Sequence, residues 1–381
     1  MIKKTIHICS DEKFIDGVIA QFARYRMIES TFFVIQRTPE IKYIKTRNAN
    51  VFFFQSEKEL IDKVNQSSRD CVVILHSIFI DIRYLLKLQR TVFICCWGWD
   101  IYSDVHSKIK KMLPLDLYKP LTRRVLDSQK KFSESVWEYL KLFMGVYFVH
   151  NYLYRKLFEK VSAVSTVFSV EFSMMNLPGK RYFPLKYMPL SMPESFIPKK
   201  TPESLSVPRI LVGNSLDPTN NHIDILERIE KIGRIVEVLI PISYGGNERY
   251  KAALKQYVLK FKNVKTIFLE NFMSREQYFN LVNTCCAAVF GHMRQQSAGN
   301  IGYALKSGFD VYLYNDSINY SFFSGLGYKF FSIENDLCDF TGKPHLSIDD
   351  QKKNYDAYVD EVNLDRYDEG MLNFFASFDC S

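Results

Sequence analysis

At 381 residues the chain is too long for one ordinary core and fits two domains, and its 47% hydrophobic content excludes wholesale disorder. The formal net charge is +8, but no aromatic-basic recognition module or finger pattern accompanies it, so nucleic acid is not an expected partner. No apolar run approaches the ~20 residues needed to span a bilayer, and residues 1–12 carry no signal-peptide stretch, which predicts a cytoplasmic protein.

In chain order, residues 4–9 read as a strand and 14–28 as a helix with apolar positions Phe14, Val18, Ile19, Phe22 and Tyr25. Residues 31–35, 70–75 and 92–96 are continuous apolar runs, which predict strands of a parallel sheet covered on both faces. Val146–Val149 and 163–168 read as two more strands of that sheet. Before them, in 105–145, Lys108, Lys110, Lys111, Arg123 and Arg124 interleave with Met112, Leu115, Leu121 and Val125. Such a basic amphipathic stretch either lies on an anionic membrane or forms a solvated face over a core.

The proline-rich stretch 184–208 reads as a linker. Beyond it the alternation restarts: strand 209–212, helix 221–232, strand 236–240, helix 247–261 and strand 264–269. Helix 274–283 opens on a Ser274–Gln277 capping box, and strand 287–290, helix 300–307 and strand 310–314 close the series. The expected fold is α/β, with two Rossmann-like doubly wound domains, 1–183 and 209–335, facing a cleft. A tail, 336–381, is expected to pack back on the first domain. All eight Cys are expected to be reduced, because the pairs Cys95–Cys96 and Cys285–Cys286 are adjacent and no Cys-x-x-Cys occurs.

Two turns carry the chemistry. Gly213, Asn214 and Ser215 follow the first strand of the second half and lead through Asp217, Asn220 and His222 into a helix. Arg294, Gln295 and Gln296 follow strand 287–290 and lead through Gly299 and Asn300 into another. Strand–turn–helix junctions present free backbone N–H groups to an anion, although the same residue types also serve simply to turn the chain and cap a helix. Together the two turns suggest a nucleotide diphosphate. No Gly-x-Gly-x-x-Gly, Walker lysine motif, Gly-x-Ser-x-Gly or His-Glu-x-x-His is present, and no Asp-x-Asp that would hold a metal-bound sugar nucleotide. The pattern left standing is the GT-B plan of two-domain glycosyltransferases, in which helix N-termini and side chains neutralise the leaving diphosphate without a metal.

The residues resemble a specific family. Val212–Ser215 with Asp217, Asn220 and His222, then Pro241 with Tyr244, Asn247 and Tyr250, then Arg294–Gln296 with Gly299 and Gly308 are similar to the TDP-N-acetylfucosamine:lipid II N-acetylfucosaminyltransferases, glycosyltransferase family 56. In the first half His7, Ser10, Asp11, His76, Trp97, Gly98, Asp100 and Tyr102 extend the likeness, which runs to about residue 335. Two features depart from the family: Cys9 replaces a glycine before Ser10, and Ser297-Ala298-Gly299 replaces Gly-Ile-Gly. The resemblance implies transfer of a 4-acetamido-4,6-dideoxyhexose from a dTDP-sugar donor to a polyprenyl-diphosphate-linked acceptor, without a cofactor, at the cytoplasmic face of a bacterial inner membrane. Enterobacterial common antigen and O-antigen enzymes fit the same residues.

On this reading Arg294 grips the diphosphate, and Gly213, Asn214 and Ser215 approach it. Asp217 and His222 either bond donor hydroxyls or cap the helix, and Tyr244 either stacks on the donor or packs. Inversion at the sugar would need a base. Asp100, in an apolar setting that raises its pKa, ranks ahead of His76 and Asp11. Lys108, Lys110, Lys111, Arg123 and Arg124 are the expected membrane contact. A noncatalytic nucleotide-sugar or lipid-diphosphate binding partner and a two-domain epimerase are the alternatives; the presence of both donor loops and base candidates favours the enzyme.

Overall fold

A computed structural model describes residues 2–46, 50–130, 137, 140–141, 143–187, 195–199 and 207–378. Most of the proline-rich linker and part of the basic stretch lie outside the described residues.

The first domain is built on β1 (Lys4–Ser10), β2 (Glu29–Ile35), β3 (Val51–Phe54), β4 (Cys71–His76) and β5 (Thr91–Cys96). A short pair, β6 (Tyr102–Asp104) and β7 (Leu113–Leu115), stands apart, and β8 (Ala163–Thr166) and β9 (Arg181–Tyr182) complete the main sheet. Its order is β3-β2-β1-β4-β5-β8-β9, all parallel. Helices α1 (Ile15–Arg24), α2 (Glu57–Gln66), α3 (Ile82–Leu85), α4 (Pro120–Ser128), α5 (Val146–Lys160) and α6 (Ser169–Met175) complete this half. All six residues of β4 are buried, as continuous apolarity requires of a strand covered on both faces.

The second sheet runs β12-β11-β10-β13-β14-β15, again parallel. Its strands are β10 (Arg209–Val212), β11 (Val236–Pro241), β12 (Val264–Leu269), β13 (Ala287–Phe290), β14 (Asp310–Leu313) and β15 (Phe331–Ser332). Between them lie α7 (His222–Glu230), α8 (Glu248–Val258), α9 (Arg275–Val282), α10 (Ala298–Lys306) and α11 (Ile318–Gly325). The Ser274–Gln277 capping box is formed, with Gln277 N donating to Ser274 Oγ at 3.2 Å and Ser274 N to Gln277 Oε1 at 3.0 Å. Strand order reverses between β1 and β4 in one sheet and between β10 and β13 in the other. Loops diverge at those two places and leave a crevice.

The Val146–Val149 expectation is corrected: these residues are the first turn of α5, which follows Gly145 in left-handed backbone (φ 69°). A four-residue apolar run cannot by itself separate strand from helix. Here the spacing of Tyr147, Tyr154, Leu157 and Phe158, all buried, decides for the helix.

The chain then crosses back. Helix α12 (Ile348–Glu361) sits against α10, where Tyr358 lies 3.2 Å from the place a Cβ on Gly302 would occupy. Helix α13 (Leu364–Ser377) lies on the first domain: Phe374 and Phe378 pack edge-on against Phe93, and Ile2 N donates to Phe375 O at 3.1 Å. Arg24 reaches Asp368 with two nitrogens, at 2.9 and 2.7 Å. Each buried Phe contributes about 1.5–3 kcal/mol, so this crossing ties the two halves firmly. The seven described cysteines are all free thiols; Cys380 lies outside the described residues.

Candidate functional site

The loops after β10 and β13 meet at the switch point of the second sheet. Gly213 has φ +69°, and a Cβ there would lie 2.4 Å from Asn220 Oδ1, so only glycine fits this turn. Asn220, fully buried, holds the loop from behind: its Oδ1 accepts from Asn214 N at 2.9 Å and its Nδ2 donates to Asp217 O at 2.9 Å. The loops are bridged, since Thr219 Oγ1 lies 2.7 Å from Asp217 Oδ1 and 2.6 Å from Gln296 Oε1. Asn214 spans Tyr244 Oη (3.0 Å) and His292 Nε2 (3.2 Å). His222 is buried behind Gly213, 3.2 Å from Tyr250 Oη, and burial pulls its pKa down to about 4. It is a neutral support for the turn. Asn247 caps α8, accepting from Tyr250 N at 2.9 Å.

Arg294 leads toward the start of α10. Among the described residues its guanidinium makes no ion pair, and it donates to the neighbouring Gln295 O at 3.1 Å. Burial lowers its pKa, while Asp217, Tyr102, Tyr118 and Glu171 act against that shift. Asn300 Nδ2 holds Ser297 Oγ at 3.2 Å where α10 begins, and Gly299 on its first turn is exposed with open space around it. The helix start and the unpaired guanidinium together favour an anion.

The first domain closes over this loop. Gly98 has φ +94°, and a Cβ on it would lie 2.7 Å from Gln295 Oε1, so glycine lets the two domains approach. Tyr102 Oη donates to Glu171 Oε1 at 2.6 Å and also faces the Gln295 backbone N–H. Burial raises the Glu171 carboxyl to about 7, against the opposing Tyr102 and Phe168 hydrogen bonds. Asp224 of α7 accepts from Leu121 N and Thr122 N at the start of α4, at 2.9 and 2.8 Å.

The three expected base candidates are all engaged. Asp11 accepts from the backbone of Lys42, Tyr43 and Ile44 at 2.6, 3.0 and 2.9 Å. Asp100 is buried, with Oδ2 taking Ser77 Oγ at 2.8 Å and Oδ1 taking Trp97 N at 2.9 Å; burial raises its pKa. His76 Nε2 lies 2.9 Å from His7 Nδ1, and its Nδ1 lies 2.8 Å from Tyr187 Oη. Burial lowers His76 to about 3. Glu12, next to Asp11 in the loop that leaves β1, is half-buried; burial raises its pKa, partly offset by Lys13. Sequence reasoning passed over both Glu12 and Glu171. The available signals were adjacency to Asp11 and a glutamate three residues after Phe168 at a helix start.

The basic stretch is not one helix. Its apolar residues Leu121, Val125 and Leu126 pack on the core of the second domain. Arg123 pairs with Asp104 at 2.9 Å and also with Asp116. Lys111 donates to Trp99 O; burial lowers its pKa, Asp100 opposes that, and the nearby charge of Arg294 adds to it. Lys111 therefore faces the cleft and is not free for lipid. Lys108, Lys110 and Arg124 are exposed.

A family model described as 4-alpha-L-fucosyltransferase, glycosyl transferase group 56, matches residues 143–318. The match takes in α5, Glu171 and both switch-point loops. Among solved structures the chain is similar to the apo lipopolysaccharide outer core galactosyltransferase WaaB, at 13% identity and TM-score 0.54, covering 98% of this chain and 100% of that one. HepE from Anabaena, in complex with UDP and glucose, gives 12% and 0.56, covering 99% and 100%. Sucrose-phosphate synthase from Thermosynechococcus elongatus gives 10% and 0.59, covering 98% of each chain. At these identities the likeness is one of fold, the GT-B plan. The protein is a glycosyltransferase.

Proposed function

We propose that the protein transfers a 4-acetamido-4,6-dideoxyhexose from a dTDP-sugar to a polyprenyl-diphosphate-linked saccharide, on the cytoplasmic face of a bacterial inner membrane, in the assembly of a surface polysaccharide. The observation that carries the donor half is Arg294, a guanidinium without an ion pair among the described residues, in the loop that leads from β13 to α10 and within the field of Asp217 in the other switch-point loop. Lys111 faces it from the other domain. Two cations meeting across a cleft repel each other unless an anion lies between them, and the diphosphate supplies two charges. The sugar and acceptor assignments rest on the family likeness.

In the reaction an acceptor hydroxyl oxygen bonds to the anomeric carbon as the carbon–oxygen bond to the diphosphate breaks. The electron pair of that bond leaves with dTDP, where Arg294, Lys111 and the N–H groups at the start of α10 stabilise the growing charge. The hydroxyl proton goes to Glu12, which stands in the loop leaving β1 at the switch point of the first sheet, outside the networks that engage Asp11, Asp100 and His76. Protein cations here take the place of a divalent metal.

Transfer from radiolabelled dTDP-sugar to a polyprenyl-diphosphate disaccharide tests this reading, and turnover should persist in excess EDTA. Activity that vanishes with chelator and returns with magnesium would overturn the cation account. Transfer with UDP-sugars alone would overturn the nucleotide assignment.

A further inference from the structure

Helix α5 is apolar on two opposite faces. One face, Tyr147, Tyr154, Leu157 and Phe158, is buried in the first domain. The other is open to solvent: Phe148 is 76% exposed, Val149 53% and Tyr152 45%. Just before the helix Phe143 is 85% exposed and Met144 61%. A helix apolar all round belongs in a core or against lipid, and a contiguous exposed patch of this kind marks an interaction surface.

The charges around the patch select the occupant. No acidic residue occurs in the sequence from 139 to 158. Three to four residues past Tyr152 on the same stripe come Arg155 and Lys156, which share a single carboxylate, Glu159, at 3.9 and 2.6 Å. Asn151 ties the exposed basic loop to the helix flank: its Oδ1 accepts from Lys110 N at 2.9 Å and its Nδ2 donates to Lys108 O at 3.2 Å. Aromatic and aliphatic side chains bordered by cations match the interface of an anionic bilayer, where rings sit among headgroups and lysines meet phosphate. The same helix fixes the cleft, because Tyr154 Oη donates to Asp100 O.

We propose that the Phe143–Tyr152 ridge, flanked by Lys108, Lys110, Arg155 and Lys156, is the surface by which the enzyme docks on an anionic membrane, presenting the cleft beside Asp100 to a lipid-linked acceptor. The choice of occupant rests on the lipid-acceptor reading above. The ridge replaces Arg123 and Lys111 as the contact, since Arg123 is held in ion pairs with Asp104 and Asp116 and Lys111 faces the cleft.

Full-length protein is centrifuged with vesicles of phosphatidylcholine alone and of phosphatidylcholine with phosphatidylglycerol. Wild type should sediment with the anionic vesicles. Phe143→Ser/Phe148→Ser/Val149→Ser should partition at least tenfold less at low salt. Lys108→Gln/Lys110→Gln should bind as wild type at low salt and lose binding at lower ionic strength than wild type as salt is raised. Thermal melting and thymidine diphosphate binding of both variants should equal those of wild type, showing that the fold and donor site survive. Equal sedimentation of wild type and the triple variant overturns the proposal. So does a lipid-free dimer that the triple variant converts to monomer, which would make the ridge a subunit interface. Vesicle binding that behaves as expected while no lipid-linked acceptor is glycosylated keeps the ridge and sinks the acceptor assignment instead.

Discussion

The two sides of the cleft are built differently. On the proposed donor side the polar groups sit in two contiguous turns, 213–217 and 294–299, braced by buried neutral side chains (Asn220, His222, His292) that leave Arg294 without an ion pair among the described residues. On the acceptor side the polar groups satisfy one another: His7 with His76 and Tyr187, Asp100 with Ser77 and Trp97, Asp11 with the 42–44 backbone. A site that binds a charged ligand keeps a charge waiting for it, whereas a closed network mainly sets loop geometry. On the proposed reading the acceptor side should therefore depend on a carboxylate outside those networks, and Glu12 beside Asp11 is the candidate.

The sharpest way to break that contrast is Glu12→Gln. Loss of a general base lowers turnover by roughly 10²–10⁴-fold. The expected result is that fall in kcat with unchanged thymidine diphosphate affinity and unchanged melting temperature. If Glu12→Gln turns over normally while Asp100→Asn does not, the acceptor-side network holds the base after all and the contrast fails.

Next in size is Arg294→Ala. Removing one charge-assisted contact to phosphate costs roughly 1.5–3 kcal/mol, about ten- to a hundredfold in affinity. Calorimetry with thymidine diphosphate should show that loss, with the fold intact because no ion pair within the described protein is broken. Unchanged binding would remove Arg294 from the donor site.

The same contrast explains what could be read in the sequence. The parallel strands were legible because continuous apolar runs such as Val72–Leu75 have no other stable home. The two switch-point loops were legible as strand–turn–helix junctions because each is one strand, one turn and one helix start. The acceptor side was not, because Tyr102 meets Glu171 and His76 meets Tyr187 across separations of 69 and 111 residues that no local pattern records. Val146–Val149 misled because a short apolar run fits either element, and the second apolar face of α5 hid the helical period. The basic stretch allowed two readings from sequence alone, and its apolar residues Leu121 and Val125 pack inside the protein, on the second domain.

The smallest expected effect sharpens the comparison at the place where the two sides touch. Burial raises the Glu171 carboxyl from 4.5 to about 7. Between those values the folded protein keeps a proton that the unfolded chain has released. The contribution of Glu171 to stability is thus fully present below about pH 4.5 and is lost as pH rises through about 7, with a slope of at most about 1.4 kcal/mol per pH unit. Glu171→Gln keeps a neutral group there at every pH. Its melting temperature should therefore fall less than that of wild type from about pH 5 to about pH 8, with the gap levelling off at the upper end. Tyr102→Phe removes the hydrogen bond that favours the charged form, so it should push the carboxyl higher still and extend the window upward. Parallel melting curves for wild type and Glu171→Gln would mean that the carboxyl is ionised in both states. In that case Tyr102 would face a permanent anion, and the pH-sensitive link from the first domain through Tyr102 to Gln295 would not exist.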